Sequence, residues 1–256
     1  METQLAYGNW IRKKNLLILG LCTLGVGVLI FIPLGTLYRI IVAVLFLVIL
    51  ISFLFPLYAY VMFSQKGGRI QDKVYNLIIQ SLGEDVKGKI LDIGSGNGLL
   101  AIKLAQQHRG VTVMGIDYWG KDWEYSKEVC DKNARIAKVE SRVHFQKGDA
   151  AALEFATDSF DGAISNLTFH EVQSVADKRA VVREALRVVK PGGTFAFVDY
   201  FYAEKYYGKA SEFESHLRDQ KLSQFEYKPL RDMLLLPILL RHPKIFGRVG
   251  IIYGRK

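Results

Sequence analysis

The segment Ile90-Leu-Asp-Ile-Gly-Ser-Gly-Asn-Gly98 sets a carboxylate, Asp92, ahead of three glycines at alternate positions, Gly94, Gly96 and Gly98. A short apolar run that ends this way describes a buried parallel strand turning into a helix while its backbone passes close to a ligand. Glycine has no Cβ, so the turn can be tight and the main chain approachable. The next acid at a strand end is Asp117, closing Val113-Met-Gly-Ile-Asp117, where a carboxylate would meet ribose hydroxyls. The spacing also discriminates between nucleotides. A dinucleotide fingerprint, G-x-G-x-x-G, seats a pyrophosphate on the helix N-terminus. Counted from Gly94, the third glycine falls one place early and Leu99 takes the pyrophosphate-type position. Asp92 would repel a phosphate but suits a cationic amino group, so NAD is the lesser reading.

The pattern D-x-G-x-G-x-G resembles the first motif of class I S-adenosylmethionine-dependent methyltransferases, and the resemblance runs from Lys89 to Tyr200. Gly148-Asp149-Ala150, after the apolar Val143-His-Phe145, is similar to the family's adenine-contacting segment behind the third strand. Phe160-Asp-Gly-Ala-Ile-Ser-Asn166 looks like the fourth strand, and Val188-Val-Lys-Pro-Gly-Gly-Thr-Phe-Ala-Phe-Val198 like the Pro-Gly-Gly turn into the fifth. Together these motifs imply an α/β fold: a Rossmann-like, doubly wound, seven-stranded sheet, mostly parallel, with its last strand antiparallel. They imply S-adenosyl-L-methionine as cofactor and S-adenosyl-L-homocysteine as product. By this resemblance Gly94, Ser95, Gly96 and Gly98 line the methionine and ribose, Asp117 holds both ribose hydroxyls, and Tyr118 packs on adenine. Asp149 accepts from the adenine amine beside the Ala150 amide, and Asp92 and Asn166 lie near the methionine amino group.

Methyl transfer asks for little covalent help, because a sulfonium is already a good leaving group. The protein must align the nucleophile, exclude water and in some reactions remove a proton. The acceptor side falls to Asn166-Leu-Thr-Phe-His170-Glu171, which is not the Asn-Pro-Pro-Tyr form and so disfavours amide and exocyclic nucleobase nitrogens. His170 is the best-placed catalytic candidate, as a general base, with hydrogen bonding that orients a loop as its competing role. Glu171 and Asp199 rank behind it. Tyr200, Tyr202, Tyr206 and Tyr207 could wall the acceptor pocket or stabilise a cation, although packing ranks first for each.

These residues need a scaffold, and the hydrophobic pattern supplies one. Apolar residues at Ile70, Val74, Leu77, Ile78 and Leu82 have helical spacing. From Lys89 the chain alternates strands, near 89–93, 112–116, 142–146, 160–165 and 194–199, with helices, as a parallel sheet wound on both faces requires. Asp92, Asp117, Asp149 and Asn166 then share the carboxyl edge, where ligands of such sheets bind. Beyond Tyr200 a helix around 211–221 leads to strands at 224–227 and 249–253, resembling the antiparallel hairpin that ends this fold. Between them the apolar stretch 233–240, followed by Arg241, His242 and Lys244, either lies at a bilayer surface or packs on the sheet edge.

Half of the 256 residues are hydrophobic, and the surplus is concentrated at the N-terminus. Leu16 to Leu34 is uncharged for 19 residues and Ile40 to Phe63 for 24, each reaching the ~20 residues of a bilayer-crossing helix. Residues 1–65 thus read as a transmembrane hairpin with spans about 16–34 and 40–63, and residues 66–256 as the cytosolic catalytic domain. A cleaved signal peptide competes for the first run, but no A-x-A-like site follows and a second span comes next. Arg12, Lys13 and Lys14 before the first span, and Lys66, Arg69 and Lys73 after the second, outweigh Arg39 between them. The positive-inside rule therefore puts both termini in the cytoplasm. The net charge of +9 divides into +3 for residues 1–63, +2 for 64–73, −1 for 74–228 and +5 for 229–256. Nucleic-acid binding would put the excess on the catalytic domain, so anionic headgroups are the simpler partner. Cys22 and Cys130 provide neither a disulfide framework nor metal-ligand spacing, and no metal is expected.

The expectation is an integral membrane methyltransferase, with a bacterial inner membrane favoured, acting at the cytosolic face on a lipophilic or membrane-associated acceptor. Two alternatives stand beside it. In one the acceptor is a soluble small molecule and the membrane only an anchor. In the other the chain is a non-catalytic S-adenosylmethionine sensor or scaffold.

Overall fold

The computed structural model describes residues 4–120 and 125–256, which divide into two compact units, residues 8–71 and residues 4–7 with 72–256. In the first unit α1 (Lys13–Leu29) and α2 (Thr36–Phe63) pack on each other. Their approach is close at Gly27, where an added Cβ would stand 3.2 Å from Phe46. Leu17, Leu24, Ile41, Leu47 and Val48 face outward, exposed. With 28 residues and a mean hydropathy of 3.2, α2 is the one helix among the described residues long and apolar enough to cross a membrane.

The helix ends differ from the expected spans. α1 stops at Leu29 rather than Leu34, leaving 17 residues, about 25 Å at 1.5 Å per residue. Residues 30–32 form turns ahead of Pro33, whose ring disfavours helical geometry in the residue before it. Gly35, at φ +97°, makes the turn, so α2 begins at Thr36 and Arg39 stands inside its first turn, not in a connector.

α3 (Ile70–Ser81) leads into the second unit and buries Val74, Leu77 and Ile78 there. A seven-stranded sheet follows: β1 (Gly88–Ile93), β2 (Val111–Asp117), β3 (Val143–Lys147), β4 (Phe160–Asn166), β5 (Val189–Asp199), β6 (Gln224–Pro229) and β7 (Gly250–Arg255). Its order is β3-β2-β1-β4-β5-β7-β6. The pairings among β1–β5 are parallel, while β7 runs antiparallel to both β5 and β6. The strand order reverses between β1 and β4, and that is where such sheets bind ligands. α4 (Leu99–Gln107), α5 (Lys127–Ile136) and α6 (Lys178–Arg187) are the crossovers. The Ser126 hydroxyl caps α5 by accepting from Val129 N, and Asp177 caps α6 by accepting from Arg179 N.

β5 starts five residues earlier than its apolar run. Pro191-Gly192-Gly193 lies inside it as an irregularity, across which the β4 partner jumps from Val189 to Thr194. α7 (Glu204–Tyr207), α8 (Ala210–Arg218) and α9 (Leu230–Met233) complete the C-terminal part. The core there is aromatic: Phe195, Phe197, Phe201, Tyr207 and Phe213 are fully buried.

Candidate active site

Asp92 stands near the carboxyl end of β1, 1% exposed, and neither of its carboxylate oxygens has a hydrogen-bond partner. Burial, aided by the nearby Asp117 charge, pushes its pKa up to about 7. One strand away, at the end of β4, the buried Oδ1 of Asn166 is also unpartnered. Three orphaned oxygens on neighbouring strand ends cost stability unless a donor arrives. An ammonium group is such a donor, so the pair of residues fits the amino acid end of S-adenosylmethionine.

The glycine loop is held by what surrounds it. Gly94, Gly96 and Gly98 all have positive φ (79°, 55° and 77°), a conformation costly for any other residue. A Cβ at Gly94 would meet Thr168 Oγ1 at 1.9 Å, and one at Gly98 would meet Phe145 Cζ at 2.5 Å. The lack of a side chain at these two positions admits Thr168 and Phe145 as close neighbours. The Gly94 and Ser95 amides both donate to Ile116 O, at 2.8 and 3.0 Å, and the Ser95 hydroxyl donates to Asp92 O.

Asp117, at the end of β2, accepts from Gly96 N through Oδ2 and from Trp119 N through Oδ1, both at 2.8 Å. Burial raises its pKa against these bonds. Each oxygen keeps a lone pair for a further donor. Tyr118 beside it is exposed, with Lys147 Nζ 4.8 Å from the ring centroid. Gly148 N donates to Asp117 O and Ala151 N to Asp149 Oδ1, bringing the 148–150 segment to the same edge. Asp92, the glycine loop, Asp117, Tyr118, Asp149, Ala150 and Asn166 therefore share one end of the sheet.

Three contacts to this loop were not read from the sequence. Trp119 Nε1 donates to Gly96 O at 2.9 Å, and Cys130 Sγ lies 3.1 Å from the same oxygen. Burial drives the Cys130 thiol pKa upward, so it acts as a buried donor and not as a reactive thiolate. The third contact is a latch. Asn133, fully buried on α5, accepts from Ala6 N (2.8 Å) and donates to Ala6 O (3.1 Å) and Asn97 O (2.9 Å), while Asn97 Nδ2 also donates to Ala6 O. The N-terminal strand of chain is thereby fastened to the glycine loop.

On the acceptor side, His170 sits in a single 3-10 turn, Phe169–Glu171, just past β4. Its Nδ1 donates to Asp199 Oδ1 at 2.9 Å, and its Nε2 lies 3.4 Å from Glu171 Oε1. Asp199, fully buried at the end of β5, also accepts from the amides of Phe169 (2.8 Å) and Tyr200 (2.6 Å). Burial alone would lower the imidazole pKa, but the Asp199 charge and the bonds to both carboxylates outweigh it and push it up to about 10. At neutral pH His170 is an imidazolium, already protonated, unlike the free base expected from its position in the sequence.

The four tyrosines separate into two pairs. Tyr200 and Tyr206 flank His170, at ring-centroid distances of 4.7 and 5.6 Å. Tyr202, half-buried, stacks on Tyr227, and Tyr207, fully buried, packs on Phe213 in the core. Burial pushes the Tyr200 phenol up to about 12, leaving it a neutral donor, to Lys244 O at 3.3 Å. A separate cleft lined by Ser81, Thr194, Gln224, Tyr253 and Arg255 lies at the amino-terminal end of β5 and includes none of these residues.

The sequence profile described as a methyltransferase domain matches residues 84–231. Methyltransferase GfsG of Streptomyces halstedii is 33% identical over 138 residues, covering 53% of this chain and 45% of that protein. The ubiquinone/menaquinone biosynthesis C-methyltransferase UbiE of Geotalea daltonii is 29% identical over 114 residues, 44% of this chain and 46% of that one. The chain spans about half the length of the curated relatives it matches. Among solved structures, geranyl diphosphate C-methyltransferase from Streptomyces coelicolor A3(2), in complex with Mg2+, geranyl diphosphate and S-adenosyl-L-homocysteine, shares the fold. The TM-score is 0.55 over 75% of this chain and 81% of that one, at 14% identity. With the profile covering more than half of its length and the strand-end carboxylates in place, the chain belongs to the methyltransferase-domain family, and residues 84–231 are an S-adenosylmethionine-dependent methyltransferase domain.

Proposed function

We propose that the protein transfers a methyl group from S-adenosylmethionine, at the cytosolic face of a membrane, to a lipophilic acceptor that reacts beside an ionisable oxygen. The observation that carries the membrane part is α2, a 28-residue apolar helix in which only Val42, Ala59 and Phe63 are buried, in the same chain as the methyltransferase sheet. Leaving such a surface in water would be costly, and a bilayer removes that cost. α1, shorter by eleven residues, completes a hairpin with it, and the basic flanks orient both ends toward the compartment where the cofactor is made.

When bound, the cofactor supplies a methyl group already activated on a sulfonium. Asp92 and Asn166 are suited to hold its ammonium group, Asp117 its ribose hydroxyls, and Tyr118 with the Asp149–Ala150 segment its adenine. His170, a cation between Asp199 and Glu171, is suited to hold an acceptor oxygen as its anion. Ionisation there strengthens the nucleophile at that oxygen or at a conjugated carbon, and the Tyr200 and Tyr206 rings help keep water away. The name of UbiE places that relative in ubiquinone and menaquinone biosynthesis, and a quinone-like acceptor would be lipophilic.

The test supplies S-adenosylmethionine with a radiolabelled methyl to the purified full chain, together with a lipid extract and cytosol, beside an Asp117→Ala control. Label in the organic phase that the control lacks is the expected result. Label confined to the aqueous phase would reduce the membrane to an address. Cofactor binding without any transfer, across lipid extracts of several sources, would turn the reading toward a sensor.

A further inference from the structure

The segment between β6 and β7 is a built apolar knob. Leu236, Leu240 and Phe246 are buried beneath it, and its loop closes on itself through Arg241 Nε to Leu236 O (3.0 Å), Phe246 N to Leu240 O (3.0 Å) and Gly247 N to His242 O (3.0 Å). The anchored loop leaves three side chains outward, with Leu235 90% exposed, Ile238 81% and Leu239 52%. In this unit the only other exposed large apolar side chain among the described residues is Tyr118, at the cofactor edge. Chance exposure would scatter such residues; here three of them share one rigid projection.

The surroundings of the knob say what covers it. Arg241, Lys244 and Arg248 are all exposed, and the only acid from 229 onward is Asp232. Apolar side chains rimmed by cations match the headgroup layer of an anionic bilayer, with the acyl boundary taking the leucines and the phosphates the basic rim. A second copy would have to offer an apolar cup ringed with acids, and residues 74–228 carry a net charge of only −1. The knob is also joined to the acceptor side. Tyr200, which packs on His170, donates through its hydroxyl to Lys244 O, and Tyr202 N donates to Arg248 O.

We propose that the 234–248 knob inserts Leu235, Ile238 and Leu239 into the headgroup layer of an anionic membrane and so presents the His170–Tyr200 cluster to acceptors dissolved there. This deepens the membrane reading of the proposed function and rests on it. A bilayer tethered to the same chain by α2 stays at high effective concentration, so three side chains suffice where a free domain would need more.

The experiment uses the full chain in vesicles of phosphatidylcholine and phosphatidylglycerol, with Cys22→Ser and a nitroxide at Ile238→Cys. Collision rates with oxygen and with a water-soluble nickel chelate report the depth of the label, and a label at Glu214→Cys serves as the aqueous reference. The expected result is high oxygen and low nickel accessibility at 238, shifting toward the aqueous reference when phosphatidylcholine alone is used or Lys244→Glu is introduced. A water-like label at 238 would overturn the proposal. So would low accessibility to both reagents, the sign of cover by protein, or label–label broadening, the sign of a second copy. Depth indifferent to lipid charge and to Lys244→Glu would overturn the anionic assignment. An inserted label, with radiolabelled methyl groups still confined to the aqueous phase, would leave the knob standing and remove the lipophilic acceptor.

Discussion

Asp92 is the residue at which folding and binding oppose each other most directly. Its pKa of about 7 lies above that of a free carboxyl, so between roughly pH 4 and 7 the folded protein binds a proton that the unfolded chain releases. Folding stability from this group is therefore full at low pH and is lost as pH rises through 7. Asp92→Asn removes the titration while keeping the size. Calorimetry at pH 8 should show the ligand-free variant more stable than the parent, by at most about 4 kcal/mol, the value of a three-unit shift. The same variant should lose most of its S-adenosylmethionine affinity, because a neutral amide cannot neutralise an ammonium group. Unchanged affinity would remove Asp92 from the site. His170 shifts in the same direction, but through an attractive ion pair rather than through burial. Its pKa is raised to about 10, so the ion pair with Asp199 is fully present below the ordinary imidazole range and is lost as pH rises through 10. Turnover that depends on the imidazolium should stay level from pH 7 to 9 and fall toward 10, and His170→Gln should lower kcat by about 100-fold. A rise through pH 6 to 7 instead would show a free base at work.

At the scale of elements, what could be read from sequence was what is local. The glycine loop, the strand-end acids and the alternation of strands and helices are short-range patterns, and the parallel sheet follows from them. The Asp199–His170 pair was not read as a pair, because 29 residues separate them. Parallel pairing of β4 with β5, which sets Asn166 against Val198, brings the two strand ends together. The hydropathy run that overshot α1 failed for a related reason, since apolarity measures fitness for lipid and not helical geometry, and Pro33 ended the helix. Asn133 gave no signal at all. It sits in the charged stretch of α5, where a polar residue ordinarily faces solvent, and only its long-range contact with Ala6 and Asn97 shows its use. Asn133→Ala should leave Ala6 N and Asn97 O without this partner, with Ala6 O still accepting from Asn97 Nδ2, and cost about 1–3 kcal/mol of stability. Because Asn97 stands between Gly96 and Gly98, the loop should also loosen. Titration calorimetry is expected to show cofactor affinity reduced several-fold, and an affinity equal to the parent's would mean that the latch holds the terminus but not the loop.

For the whole molecule, the latch changes how the anchor must be tested. Residues 4–7 belong to the unit that carries the sheet, although the α1–α2 unit separates them from it in sequence. Deleting residues 1–69 would remove a membrane anchor and a brace of the cofactor loop together, and a loss of activity would not distinguish the two. Replacing residues 9–69 with a flexible glycine–serine linker keeps Ala6 in the chain, at a loop-closure cost that grows only slowly with length. Both variants should lose methyl transfer to a membrane-dissolved acceptor, since neither is held at the bilayer. Only the full deletion should weaken S-adenosylmethionine binding, and adding Asn133→Ala to it should weaken binding less than the same change does in the full chain, because both remove the Ala6 contacts and only the bond from Asn133 Nδ2 to Asn97 O is lost in addition. If the linker variant binds the cofactor as poorly as the deletion, α1 and α2 themselves support the site. If it retains full transfer to lipid, the helices are not what brings enzyme and acceptor together.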